Sequence, residues 1–428
     1  MIDITARGAI LKLYFWIKSK GGKRNLDDSK FGNYGIGGIE FELSIVPCML
    51  REMYPYYDIH IYTDNIELKS DSMAVHYVTN SLEMIDKISK EEGVLIFAQD
   101  FSDKIFFERL NRTEIQAIGW VHNYLTFLDY VYLQTSPNIK RVVFVGRQLY
   151  DHYIDTTLIK KATYIYNCVP YYKKIDRRIS ICEPKIMFVG AFSKQKGFHV
   201  LAKAWKRILK VYPNAQLYVA GGKQYSDNGK IDRYYVYCKK FLTDKRGNLL
   251  DGVHFLGILG DEKRKYYESV SVGVANPTGK TETFCLSAVE FEAHEVPVVT
   301  YDGFGLLDTV INEKTGICVR GAKKLAKAIL RLIKNTEFNR ALGINGRKFV
   351  CSIFTPEHVI PKWHWLITDG LYLEKMPDEF SYANYLDDWK WLRYINSRIQ
   401  KMFHLKGKLS VQGVGTWSRW RLKRLGSK

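Results

Sequence analysis

The chain lacks any C-x-x-C pair. Cys48, Cys168, Cys182, Cys238, Cys285, Cys318 and Cys351 are odd in number and widely scattered, which excludes a zinc ribbon or dithiol redox centre and predicts reduced, mostly buried thiols. It also lacks the ~18 uninterrupted apolar residues of a membrane span. The patch Ile10 to Ile17 is broken by lysine, with no convincing small-residue cleavage site after it. A cytoplasmic location is the expectation. Negative charge is in short supply too: 45 Asp and Glu face 64 Lys and Arg, a formal net charge of +19. Such a surplus attracts anions, whether nucleic acid, a phospholipid surface or phosphorylated small molecules. Zinc-finger spacing and an aromatic RNA-binding signature are both missing, which disfavours nucleic acid.

What is present is a large, core-forming chain. At 428 residues, 46% hydrophobic and 14% aromatic, it is too long for one growing core and too apolar for long disorder, so two domains are expected. Short Val- and Ile-rich runs alternate with helical stretches: Ile10 to Ile17, Asp58 to Thr63, Met73 to Val78, Val94 to Ala98, Ala117 to Val121, Val142 to Val145 and Thr163 to Tyr166. A second series follows the polar stretch Tyr171 to Pro184: Ile186 to Val189, Gln216 to Ala220, Val253 to Leu256, Val272 to Ala275 and Val296 to Thr300. Buried parallel strands look like this, and βα repetition gives a doubly wound sheet. The predicted class is therefore α/β, with two tandem Rossmann-like domains, residues 1–170 and 171–360, facing a cleft. From Pro361 the rhythm stops, and 361–428 reads as an aromatic, basic helical extension that packs back on the first domain. Its tail, Trp417-Ser-Arg-Trp420-Arg-Leu-Lys-Arg424, mixes indoles with cations, as a segment at an anionic membrane surface does; a frayed basic terminus is the plainer alternative.

The chemistry concentrates in Asn276-Pro-Thr-Gly-Lys-Thr-Glu-Thr-Phe-Cys-Leu-Ser-Ala-Val-Glu290. A loop carboxylate at Glu282, a helix start near Thr283 and a second carboxylate at Glu290 make three points spread over roughly 10–12 Å. A nucleotide-sugar has the complementary layout: sugar hydroxyls at Glu282, diphosphate over the free N–H groups of the helix start, ribose at Glu290. Two glutamates at this spacing often mean only a solvated helix face, so the surrounding pattern has to decide.

That pattern resembles the donor-binding domain of the retaining GT-B glycosyltransferases of family 4, which carry an E-x7-E motif. Phe188-Val-Gly190 with Lys196-Gly197, Pro213 to Gly222, Val253 to Gly257, Asn276-Pro277, Glu282, Phe284, Glu290, Pro297-Val-Val and Gly303-Phe-Gly305 follow its order. In the first domain Gly35-Ile-Gly37-Gly38 is similar to the family's glycine-rich loop, and His122 falls where many members carry a histidine facing the donor sugar. Asn167-Cys-Val169 resembles the run that ends the family's first domain. The resemblance implies a GT-B glycosyltransferase that moves a sugar from a nucleoside-diphosphate donor to a glycan or glycolipid acceptor with retention. It implies catalytic roles for Glu282, His122 and Lys196, and substrate binding by Gly37, Gly38, Gly190, Thr283, Phe284, Cys285 and Glu290. No metal or cofactor is expected, because cations and helix dipoles stand in for the ion. One departure stands out: Ala191 and Phe192 follow Gly190, where many members carry a phosphate-clamping arginine, leaving Lys196 a point charge unless Lys194 or Arg147 compensates. The rival reading is a non-catalytic GT-B-like protein that binds phosphorylated glycan or nucleic acid. Beyond the cytoplasm itself, a peripheral position at the inner membrane face is the further expectation from the tail.

Overall fold

A computed structural model describes residues 11–19, 21–173, 176–221, 232–279, 281–386, 389–405 and 410–425. Two compact units emerge. The first gathers the chain up to Lys30, then Gly37–Pro170, then Pro356 onward; the second holds Phe31–Ile36 and Tyr171–Thr355.

In the first unit, strands β1 (Lys12–Ile17), β2 (Asp58–Thr63), β3 (Ala74–Tyr77), β4 (Val94–Phe97), β5 (Gln116–Val121), β6 (Ile139–Phe144) and β7 (Ala162–Tyr164) form one sheet in the order β3-β2-β1-β4-β5-β6-β7. All its pairings are parallel. The central strands are covered on both faces: every residue of β4 is buried, which is why they read as unbroken apolar runs. Helix α1 (Gly38–Met53) carries the chain from β1 to β2.

The second unit repeats the plan. Strands β8 (Lys185–Val189), β9 (Gln216–Ala220), β10 (Val253–Gly257), β11 (Val270–Ala275), β12 (Val298–Tyr301) and β13 (Gly316–Val319) lie in the order β10-β9-β8-β11-β12-β13, again all parallel. Helix α2 (Phe198–Leu209) buries Leu201, Ala204, Trp205 and Ile208 and turns Lys203, Lys206 and Arg207 to solvent, as the 3.6-residue period of its apolar positions requires. Helices α3 (Leu286–Ala293) and α4 (Thr336–Ile353) pack on each other. In both sheets the chain works outward from the first strand and then jumps back to its other side. That leaves a switch point between β1 and β4, and another between β8 and β11, where loops diverge and ligands settle.

The last segment belongs to the first unit. It comprises α5 (Pro356–Thr368), α6 (Lys390–Met402) and α7 (Val411–Leu425). The boundary falls at Pro356 rather than at 361. Proline at the first helical position loses no intrahelical bond, so Pro356 opens α5 and Pro361 is carried inside it. Trp363, fully buried, meets Trp120 edge-on at 4.7 Å. Arg141 Nε donates to the Gly370 carbonyl at 2.6 Å, and Lys390 Nζ sits 2.5 Å from Asp151 Oδ2, both nearly enclosed. All seven cysteines are free, with Cys182 and Cys351 exposed. Among the described residues no helix is long and apolar enough to cross a membrane.

Candidate active site

At the switch point of the second sheet, the loops after β8 and β11 are fastened together. Gly197, which caps α2, has φ 76°; a Cβ there would also collide with Thr278, so only glycine lets the loops approach. The Thr278 hydroxyl lies 2.7 Å from the Gln195 carbonyl and 2.9 Å from Asn276 Oδ1. Asn276, at φ 34°, also accepts the Gly279 N–H on its side-chain oxygen at 3.1 Å. The turn then delivers Glu282, whose N–H reaches the Gly279 carbonyl at 3.1 Å. Its carboxylate is 4% exposed. One oxygen, Oε2, accepts from Lys196 Nζ at 2.8 Å and from Asn276 Nδ2 at 2.7 Å. Burial works hardest against the Lys196 ammonium, but the charge of Glu282, the neighbouring Cys285 and the hydrogen bond to Glu282 together outweigh it and hold the lysine above its ordinary pKa of 10.5. A Cβ on Gly190 would stand 3.8 Å from that of Lys196, so the end of β8 runs directly beneath the lysine.

The helix expected to open near Thr283 opens at Leu286 instead, with Cys285 as its cap. Thr281 at φ 59° turns the chain, and the Gly305 N–H holds the Glu282 carbonyl at 3.0 Å, keeping Thr283 to Cys285 outside the helix. The side chains there face inward. Phe284 meets Phe354 edge-on at 5.2 Å, and burial together with the Glu282 charge pushes the Cys285 thiol up to about 12. Glu290, on α3, is separately engaged: Lys263 Nζ donates to its Oε2 at 2.8 Å, with both side chains nearly enclosed. Nearby, burial lowers the His294 imidazole to about 4. Burial and the Glu290 charge raise the Tyr267 hydroxyl. The two glutamates thus stand on two different lysines. Neither Asn276 as a second donor to Glu282 nor Lys263 as the partner of Glu290 was foreseen; Asn276 has a signal, its place in the Asn-Pro run, while Lys263 has none.

His122, Gly37 and Gly38 belong to the first unit. His122 follows directly on β5, is 6% exposed and packs 4.7 Å from the Trp120 ring; burial drives it down to about 3, so it is neutral. Gly37 caps α1, and a Cβ there would meet nothing within 4 Å. Room, not internal packing, is what its missing side chain provides. Glu40, in the first turn of α1, is paired with Arg24 and accepts from the Ser19 hydroxyl at 2.6 Å. Beside that helix start, at the carboxyl ends of β4 and β5, lies a depression of about 630 Å3 lined by Ile39, Gln99, Asp100, Asn123 and Asp129 among others. Arg147 also lies in this unit, its guanidinium 5.1 Å over the Tyr164 ring. Gly222, the end of the second strand motif, lies outside the described residues. Among those described, no group of three His, Cys, Asp or Glu side chains is placed to hold a metal ion.

Residues 173–349 match the family model of the glycosyl transferases group 1. The Bacillus subtilis protein YtcC is 24% identical over 305 residues, 68% of this chain and 72% of that protein. The Staphylococcus aureus capsular polysaccharide biosynthesis glycosyltransferase CapM is 32% identical over 174 residues, 40% of this chain and 42% of its own. Among solved structures, sucrose-phosphate synthase from Thermosynechococcus elongatus is similar with a TM-score of 0.61 at 19% identity, over 83% of this chain and 98% of that one. Anabaena HepE in complex with UDP-glucose gives 0.62 at 13%, over 82% and 98%. The matched model and the pair of Rossmann-like domains together support a glycosyltransferase of GT-B fold.

Proposed function

We propose that the chain is a retaining, family 4-type transferase that moves a hexosyl group from a nucleoside-diphosphate sugar to a glycan, lipid-linked or cell-surface polysaccharide, without a bound metal. The observation that carries this reading is the Lys196–Glu282 pair at the switch point of the second sheet, braced by Asn276. A lysine held charged meets the charge that builds on the departing diphosphate, and backbone N–H groups ahead of α3 add to it. Glu282 orients the donor sugar through its hydroxyls, and Glu290 receives the ribose. The neutral His122 imidazole is suited to a hydrogen bond with the sugar rather than to ion pairing. The leaving phosphate takes the acceptor proton, so no separate base is called for. The acceptor would enter the depression beside Gln99 and Asn123. Contact with an anionic membrane at its inner face falls to the last helix. There Trp417 is 41% exposed, whereas Trp420 packs 5.3 Å from Phe127.

A panel of nucleoside-diphosphate sugars, with product detected by mass, tests the reading. Nucleoside-diphosphate release that is lost in Glu282→Ala and Lys196→Ala supports it; turnover unchanged by both overturns the site. Donor binding with no turnover on any acceptor would favour a binding protein built on this fold.

A further inference from the structure

The first unit holds another cavity, again of about 630 Å3, within the ~300–1,000 Å3 range of small-ligand sites. It opens where Tyr150 to Lys160 meets the returning chain from Lys375 to His404, and none of the candidate site residues above line it. Its floor is buried and polar: Asp155 is 3% and Gln400 5% exposed. Asp155 Oδ2 accepts from Asn396 Nδ2 at 2.8 Å and from the Val411 N–H at 2.6 Å. The Gln400 amide donates to the Asp155 carbonyl at 2.9 Å. Asp155 Oδ1 and Gln400 Oε1 have no donor among the described residues. Buried acceptors are rarely left so, because an unmet one is costly. One wall is aromatic, with the Phe380 and Tyr394 rings stacked at 5.0 Å and the Tyr382 and Tyr394 hydroxyls 2.9 Å apart. Lys160, Lys375, Arg398 and Lys401 stand at the lining with Asp378 as their acidic neighbour, 3.7 Å from Lys401.

Each feature narrows the ligand. Two unmet acceptors call for hydroxyl or N–H donors. The exposed Tyr382 ring suits the C–H face of a sugar ring, and the cationic rim disfavours an ammonium ligand while attracting an anion. We propose that this cavity is a second carbohydrate site, for a hydroxyl-rich saccharide unit carrying negative charge, whether a uronate or a sugar phosphate. The inference stands on these residues and not on transfer activity in the second unit. It assigns the C-terminal helices a role in holding glycan.

Titration calorimetry of the full chain with tetragalacturonate, glucose 6-phosphate, maltotetraose and uridine monophosphate tests it. An acidic saccharide should bind wild type more tightly than maltotetraose does, and at least tenfold more weakly to Gln400→Leu, Tyr394→Ala and Arg398→Ala. Glu282→Gln should bind it as wild type does, so this result is separable from the fate of the proposed donor site. Tyr394 and Arg398 lie on the accessible wall, so their variants report even where Gln400→Leu fails to fold. The tetrauronate and the sugar phosphate tell the two sources of charge apart. Absence of binding by either, equal binding by wild type and variants, or preference for the nucleotide would overturn the assignment. So would variants that lose only anionic phospholipid vesicles.

Discussion

Lys196 and Lys263 make the same bond to a glutamate, at the same 2.8 Å, in different surroundings. The Lys196 side chain is 39% exposed, that of Lys263 8%. Removing a partner strands a charge, and the cost follows how deeply it is stranded. Lys263→Ala should therefore lower unfolding free energy by about 3–5 kcal/mol, in the range for broken buried pairs. Lys196→Ala strands Glu282, whose side chain is 5% exposed, and should cost about as much, while also reducing kcat. Urea unfolding of both variants checks this, and a loss of under about 1 kcal/mol in either, as for an exposed pair, would contradict it. Glu292 is a different case, a fully buried carboxyl that desolvation, only partly offset by Thr315, pushes from 4.5 up to about 8. Between those values the folded chain holds a proton that the unfolded chain has released. Its contribution is thus fully present below about pH 4.5 and is lost as pH rises through 8. Glu292→Gln, which cannot ionise, should melt later than wild type at pH 8.5 and near it at pH 4.5. A wild-type protein that melts later at pH 8.5 would disprove the assignment. His122 has the opposite sign: stability in the first unit falls as pH drops below 6.5 towards 3.

At the level of elements, legibility follows burial. Strands such as Val94–Phe97 are enclosed on both faces, so selection for apolar residues at every position leaves a continuous run, and most of both sheets could be read from it. The edge strand Gly316–Val319 is four residues long and opens on a glycine; it was missed because edge position relaxes that demand. The start of α3 was misplaced for another reason. Thr281 at φ 59° is a left-handed residue without glycine's signature, and nothing in a Thr-Glu-Thr run marks it. Glu282 and Lys196 were legible because they sit in ordered motifs; Lys263 was not, because the spatial partner of Glu290 comes from a segment with no fixed spacing. Gly305 ties these elements together, since a Cβ there would overlap the Thr283 backbone. Gly305→Ala should displace the Thr283 to Cys285 stretch, cut turnover at least tenfold and lower stability by about 1–3 kcal/mol, the usual cost of overpacking. Crystallography or amide exchange around Glu282 would show the shift, and wild-type kinetics in the variant would rule it out.

Over the whole molecule, the two units differ in how the chain builds them. The second is nearly continuous, Tyr171–Thr355 with a short piece from Phe31–Ile36, whereas the first is completed only by residues from Pro356 onward. Those late residues are structural: Trp363 fills the core against Trp120, and Lys390 neutralises Asp151, whose carboxyl burial still raises to about 6. A chain ending at Thr355 should keep a cooperative melt for the second unit and lose that of the first, resolved by domain-specific proteolysis. Protection of Gly37–Pro170 in such a truncation would refute this. During synthesis the order of completion is therefore reversed relative to the order of translation. Gly37–Pro170 leaves the ribosome before Tyr171–Thr355, yet must wait for the helices after Pro356 before its core can close. In the interval it exposes an unfinished apolar surface, and chaperones would find their target in the earlier-made segments of the first unit rather than in the second unit made after them.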